Sequence, residues 1–155
     1  MKPKYEEYKM IYFDGTIKEH GILNNLIYNG FRKTYYRNGV LKCDCYFKNG
    51  KRDSINQSHY ENGQLQAMII FNHGKENGKE LWFYENGQFK GEQVYENGRL
   101  FEIISLFDNK GRPLEKGTLK KGNGTLNNYS DEGKLECIEF YKNGRKTKTI
   151  KPEMD

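Results

Sequence analysis

The chain has 155 residues, a formal net charge of +5 and a mean hydropathy of −1.00. Hydrophobic residues make up only 35%, yet aromatics reach 14%, which excludes the aromatic-poor profile of a disordered chain. Seventeen Gly against three Pro, with Ala at position 67 alone, exclude a thick-cored helical domain and leave an all-β chain with many tight turns.

The N-terminus, MKPKYEEYKMIYFDG, has no apolar segment of signal-peptide type, so the expected compartment is the cytoplasm. No apolar run is long enough for a transmembrane helix. From Tyr12 onward a motif recurs: YFDGTI at 12–17, YRNGVL at 36–41, YENGQL at 60–65, YENGQF at 84–89 and YENGRL at 95–100. Gly15, Gly39, Gly63, Gly87 and Gly111 are spaced by 24. A second series, Gly50, Gly74, Gly98 and Gly122, has the same spacing, and Gly133 and Gly144 close the chain after steps of 22. The unit is therefore 24 residues with two turns. A single domain over 1–155 is expected, with an N-terminal edge at 1–11, repeats over 12–146 and a tail at 147–155.

Asn-Gly between alternating residues signals a two-residue hairpin of type I′, in which both residues take positive φ. With Asn62-Gly63 as the turn, Tyr60 and Leu65 become a cross-strand pair. The same reading pairs Tyr12 with Ile17, Tyr36 with Leu41, Tyr84 with Phe89 and Tyr95 with Leu100. Every second residue after the first-series turns then shares a face. These rows read Leu41, Cys43, Cys45, Phe47; Leu65, Ala67, Ile69, Phe71; Phe89, Gly91, Gln93, Tyr95; and Leu135, Cys137, Glu139, Tyr141. The second slot is always small. Sheet curvature explains that, and so does a ligand groove. Two zones break the pattern. Gly30 falls four residues late, and FDNKG at 107–111 and YSDEG at 129–133 carry an extra residue between aromatic and glycine.

The hairpins, clearest in FNHGKENGKELWFYENGQFKGEQVYENGRL at 71–100, resemble the MORN repeat in its bacterial Y-x-N-G-x-L variant. The resemblance implies a non-catalytic interaction protein of antitoxin or immunity type, with a bacterial toxin as partner. Other MORN proteins are scaffolds or contact membranes. The irregular segments 20–32 and 107–133 are where a private surface is expected.

The expected fold is all-β: an elongated, twisted antiparallel meander of 12–13 short strands, single-layered or curled, at ~4.8 Å per strand. Lys2, Lys4, Lys146, Lys148 and Lys151 would blunt its two open edges. The turn glycines that should matter most are Gly15, Gly39, Gly50, Gly63, Gly74, Gly87, Gly98 and Gly144.

Catalytic chemistry has little to work with. His20, His59 and His73 form no zinc-binding spacing, and Cys43 and Cys45 share a strand face. Gly74–Glu80 echoes a phosphate loop but lacks the Ser or Thr and the helix that such a loop needs. Glu61, Glu85 and Glu96 recur at one exposed turn slot. No enzyme activity, cofactor or metal is expected. The candidate partner-binding residues are the clustered aromatics Tyr35, Tyr36, Trp82, Phe83 and Tyr84, together with Tyr60 and Tyr95, because Tyr and Trp dominate interface energetics. Phe83 and Tyr35 are expected to face outward. The basic run at 145–151 leaves nucleic acid or anionic lipid as a less favoured partner, and a structural spacer is the third reading.

Overall fold

The computed structural model describes residues 4–152, and these form twelve β-strands and no helix. They fall into two compact units, one up to Lys75 and one from Glu76. The first holds β1 (Tyr5–Ile11), β2 (Ile17–Asn24), β3 (Ile27–Tyr35), β4 (Leu41–Lys48), β5 (Lys51–His59) and β6 (Leu65–Asn72), each antiparallel to the next. The second holds a meander of β7 (Lys75–Phe83), β8 (Phe89–Glu96) and β9 (Arg99–Leu106). It also holds a three-stranded sheet of β10 (Gly124–Tyr129), β11 (Leu135–Lys142) and β12 (Arg145–Ile150).

The two glycine series make two different turns. In the second series both central residues have positive φ: Asn49 at 51° and Gly50 at 75°, Asn97 at 51° and Gly98 at 76°, Asn143 at 50° and Gly144 at 70°. These are the expected type I′ hairpins, and Tyr95 pairs with Leu100 as expected. The first series departs from the expectation. Only the glycine is left-handed there, with Gly63 at φ 88°. The Tyr60 N–H donates to the Gln64 carbonyl at 2.8 Å and the Gly63 N–H donates to the Tyr60 carbonyl at 2.9 Å. This is a type I turn closed by a glycine bulge. The bulge moves the pairing back by one residue. Ile11 faces Ile17, Tyr35 faces Leu41, His59 faces Leu65 and Phe83 faces Phe89, in place of the pairs headed by Tyr12, Tyr36, Tyr60 and Tyr84.

The motif's Asn and Tyr therefore serve another purpose. The Asn38, Asn62 and Asn86 Oδ1 atoms each accept the backbone N–H two residues on, which closes their own turns. The Asn38 and Asn86 amides also donate to carbonyls one repeat later, at Glu61 and Asn109. The Tyr12, Tyr36 and Tyr84 phenols do likewise, donating to the carbonyls of Tyr35, His59 and Phe107 at 2.8–2.9 Å. On the other side of the ladder the bonds run backward: Gly50 N–H to Tyr28 O, Gly74 N–H to Arg52 O and Gly98 N–H to Glu76 O. Successive turns are thus tied together on both edges.

The turns of both irregular zones are regular in backbone. The missing second-series turn is Asn25-Leu26, with φ 49° and 65°, so Leu26 stands where its counterparts carry glycine. Gly30 belongs to the following strand. No residue is inserted at 107–111 or 129–133. Asp108 and Ser130 take the motif tyrosine's place, and their backbones make the same pair of turn bonds. Asp108 is 1% exposed, and its carboxylate accepts the Lys110 and Arg112 N–H groups and the Arg112 guanidinium.

Alternate residues along β4, β6 and β8 are buried, with Cys45, Phe47, Ala67, Phe71, Gly91 and Gln93 on the inner face. The small second slot has a packing cause at Gly91, where an added Cβ would lie 2.6 Å from the Ser105 carbonyl oxygen of β9. Cys43 and Cys45 share this face, and the thiol of Cys45 hydrogen-bonds to Cys43, bringing the Cys43 thiol down to about 7. After β9 the single layer ends. Leu100 and Ile103 of β9 are buried together with Leu119 of the connecting segment and Leu126 of β10. At the edges, Lys4 pairs with Glu6, Lys146 with Glu139, and Lys148 lies over the Phe140 ring. Lys2 lies outside the described residues.

Candidate functional site

The second unit contains a cavity of about 290 Å³. One wall is the inner face of β7–β9, through Trp82, Tyr84, Gln93 and Tyr95. The opposite wall comes from β10 and β11, through Tyr129, Glu139 and Tyr141 among others. The strands place these groups by alternation. Glu80, Trp82 and Tyr84 are two apart, and β7 aligns Glu80 with Gln93 and Trp82 with Gly91.

One acid, Glu139, lines the cavity, and three more, Glu80, Glu76 and Asp131, act on residues that line it. Glu80 is 5% exposed. Its Oε1 accepts the Trp82 indole N–H at 2.8 Å and its Oε2 accepts the Gln93 amide at 2.6 Å. Both donors are neutral. Burial pushes the Glu80 carboxyl above its ordinary value, these two bonds oppose that, and Glu76 adds to it. Glu139 behaves in the opposite way. Burial would raise it, but hydrogen bonds from Lys146 at 2.8 Å and from the Tyr141 phenol at 2.9 Å hold it below the carboxylate range. The Tyr95 phenol is driven up by burial and then by the charges of Glu80, Glu76 and Glu139. Lys90 lies 4.6 Å from the Tyr84 ring centre and 3.3 Å from Asp131, the fourth acid.

Of the seven aromatics singled out in the sequence, the cavity gathers Trp82, Tyr84 and Tyr95. Phe83 does not line it. Its ring packs edge-on against Phe89 with centroids 5.5 Å apart. Tyr35, Tyr36 and Tyr60 belong to the first unit. Tyr36 carries Lys42 over its ring, and the Tyr35 backbone pairs with Leu41. The eight turn glycines singled out in the sequence all take positive φ.

Sequence reasoning passed over Glu80, Tyr129 and the role of Gln93 and Glu139. One signal was available. Gln93 and Glu139 occupy the inner-face slot that Cys45 and Ile69 fill elsewhere, and a polar residue in a buried slot needs a partner. Among the described residues no cluster of His, Cys, Asp and Glu could hold a metal ion, and no helix is long and apolar enough to cross a membrane.

An array of hairpins on a 24-residue period, with turns hydrogen-bonded to their neighbours within each unit, defines a β-hairpin repeat architecture. Residues 29–49 and 76–97 match the family model described as the MORN repeat variant, so these two segments are MORN-variant repeats. Both matched segments span strands that carry the inner face. No curated protein matches the chain. MORN repeats fit a repeat or scaffold protein that engages other proteins or membrane lipids.

Proposed function

We propose that this chain is a non-catalytic, cytoplasmic protein-binding module of immunity type, which neutralises a bacterial toxin by covering it. The observation that carries the binding reading is the aromatic-walled cavity of the second unit. It combines broad apolar rings with amide and carboxylate groups, the composition of a protein recognition site. The toxin as target comes from the resemblance to bacterial MORN variants. The catalytic inventory of the sequence supports a binding role over an enzymatic one.

Co-expression with the product of the neighbouring reading frame tests this. A stable complex that restores growth of cells carrying that product is the expected result. If the two proteins elute separately and growth is not restored, the immunity role fails. Alanine at Trp82 should weaken the complex at least about tenfold, as a buried aromatic anchor does. An undiminished complex would remove the cavity from the interface.

A further inference from the structure

We propose that the cavity of the second unit is a guanidinium subsite, which receives an arginine side chain of the protein partner. The proposal rests on the protein-binding reading and names the chemistry of what enters. Three features of the cavity carry it.

The first is a buried carboxylate with no cation paired to it among the described residues. Glu80 sits behind the wall, held by the Trp82 indole and the Gln93 amide, and both of these line the cavity. Among the groups that perturb it, none is basic, and a second carboxylate, Glu76, adds repulsion. A buried carboxylate held only by neutral donors gains from a cation brought near it. Of the other acids, Glu139 is already answered by Lys146 and Asp131 by Lys90.

The second feature is the wall itself. Trp82, Tyr84, Tyr95, Tyr129 and Tyr141 present aromatic groups to one space. Rings attract cations through their faces, and Arg stacks on them more readily than Lys because its planar group is weakly hydrated. The site already holds one cation–ring contact, since Lys90 lies over the Tyr84 ring.

The third is the contrast with the same inner-face position two periods earlier. Arg32 stands 48 residues before Glu80, on β3 as Glu80 is on β7. Arg32 meets Glu19 with two hydrogen bonds of 2.8 and 2.6 Å, and the Tyr8 and Tyr28 phenols complete the carboxylate's shell. The first unit thus closes an arginine–carboxylate pair between aromatic rings within itself. The second unit keeps a carboxylate behind aromatic rings in the corresponding place, and no arginine is among the groups that act on it.

Trp82 is the only tryptophan of the chain and lies in the wall, so its fluorescence reports on the site directly. The full-length protein is titrated with N-acetyl-arginine amide and, separately, with the neutral isostere N-acetyl-citrulline amide. Expected is a saturable change in Trp82 emission with the arginine compound and none with the citrulline compound. Glu80→Gln should weaken the arginine response about tenfold, and Lys90→Gln, which removes a competing cation, should strengthen it about threefold. The Lys90 variant cannot give tighter binding by misfolding, so it guards against a Glu80 variant that loses binding through instability. Equal responses to arginine and citrulline, no response to either, or an unchanged affinity in both variants would overturn the subsite. Because no partner is present, that failure leaves the co-expression result standing. A complex that forms while the titration stays flat places the contact elsewhere on the module.

Discussion

The two units share a backbone and differ in what the inner face does with charge. In the first, Glu19 is buried, yet hydrogen bonds from Arg32 and Tyr8 outweigh the effect of burial and keep its carboxyl below the ordinary range. In the second, burial wins over the neutral donors Gln93 and Trp82, and Glu80 is raised. The hairpin scaffold tolerates either arrangement, because its turns are tied through main-chain carbonyls and not through these side chains. A repeat can thus be internally complete, and serve as structure, or be left one group short, and serve as a receptor.

The strongest way to break this contrast is to open the closed pair. Arg32→Ala leaves Glu19 buried without its cation, and a loss of about 3 kcal/mol in urea denaturation is expected. A loss under 1 kcal/mol would mean the first unit is no more self-contained than the second. Leu26→Gly should act in the other direction. Leu26 holds φ 65° and is 83% exposed, so glycine removes strain without removing packing, for a gain of about 1 kcal/mol. Tyr36→Phe and Tyr84→Phe each delete one phenol-to-carbonyl bond, one in each unit. Equal losses of about 1 kcal/mol are expected, and unequal losses would show that the staples themselves differ between units.

The finest test uses pH. Glu19 is depressed in the fold, so its contribution is present above the ordinary Glu value and is lost as pH falls through the depressed one. Glu80 is raised, so its contribution is present below the ordinary value and is lost as pH rises through the raised one. Glu80→Gln should therefore stabilise the protein on the alkaline side of that raised value and change little below the ordinary one. Thermal melts of both proteins from pH 4 to pH 8 read this difference directly. A constant offset across the range would show that Glu80 keeps an ordinary pKa.

Much of the fold was legible because its cause is local. A glycine that must take positive φ recurs with the period, and alternation assigns faces over the strands between turns. What misled was that one dipeptide serves two turns. Asn49-Gly50 puts both residues in the left-handed region, while Asn62-Gly63 uses Asn for its amide and only Gly for its φ. Nothing within those two residues separates the cases, since the outcome depends on where the preceding Tyr sends its N–H. That single residue of register moved Phe83 onto Phe89. Leu26 hid a regular turn because position 26 has the conformation but not the residue. The cavity was the least legible feature. Tyr129, Glu139 and Tyr141 reach it only because β10–β12 form after the 24-residue spacing has given way, and that approach is set by long-range packing around Leu119 and Leu126.

The ties between turns also constrain how such a chain can change in length. The Tyr12, Tyr36 and Tyr84 phenols each reach a carbonyl 23 positions ahead, and Gly50, Gly74 and Gly98 each reach a carbonyl 22 positions behind. Removing or adding one full period within the repeats returns every donor to an equivalent acceptor. A deletion of any other size orphans bonds on both edges at once. Growth by duplication is therefore open to this architecture while gradual drift in loop length is closed. The trimmed final step lies beyond β9, where the last phenol staple has already been made.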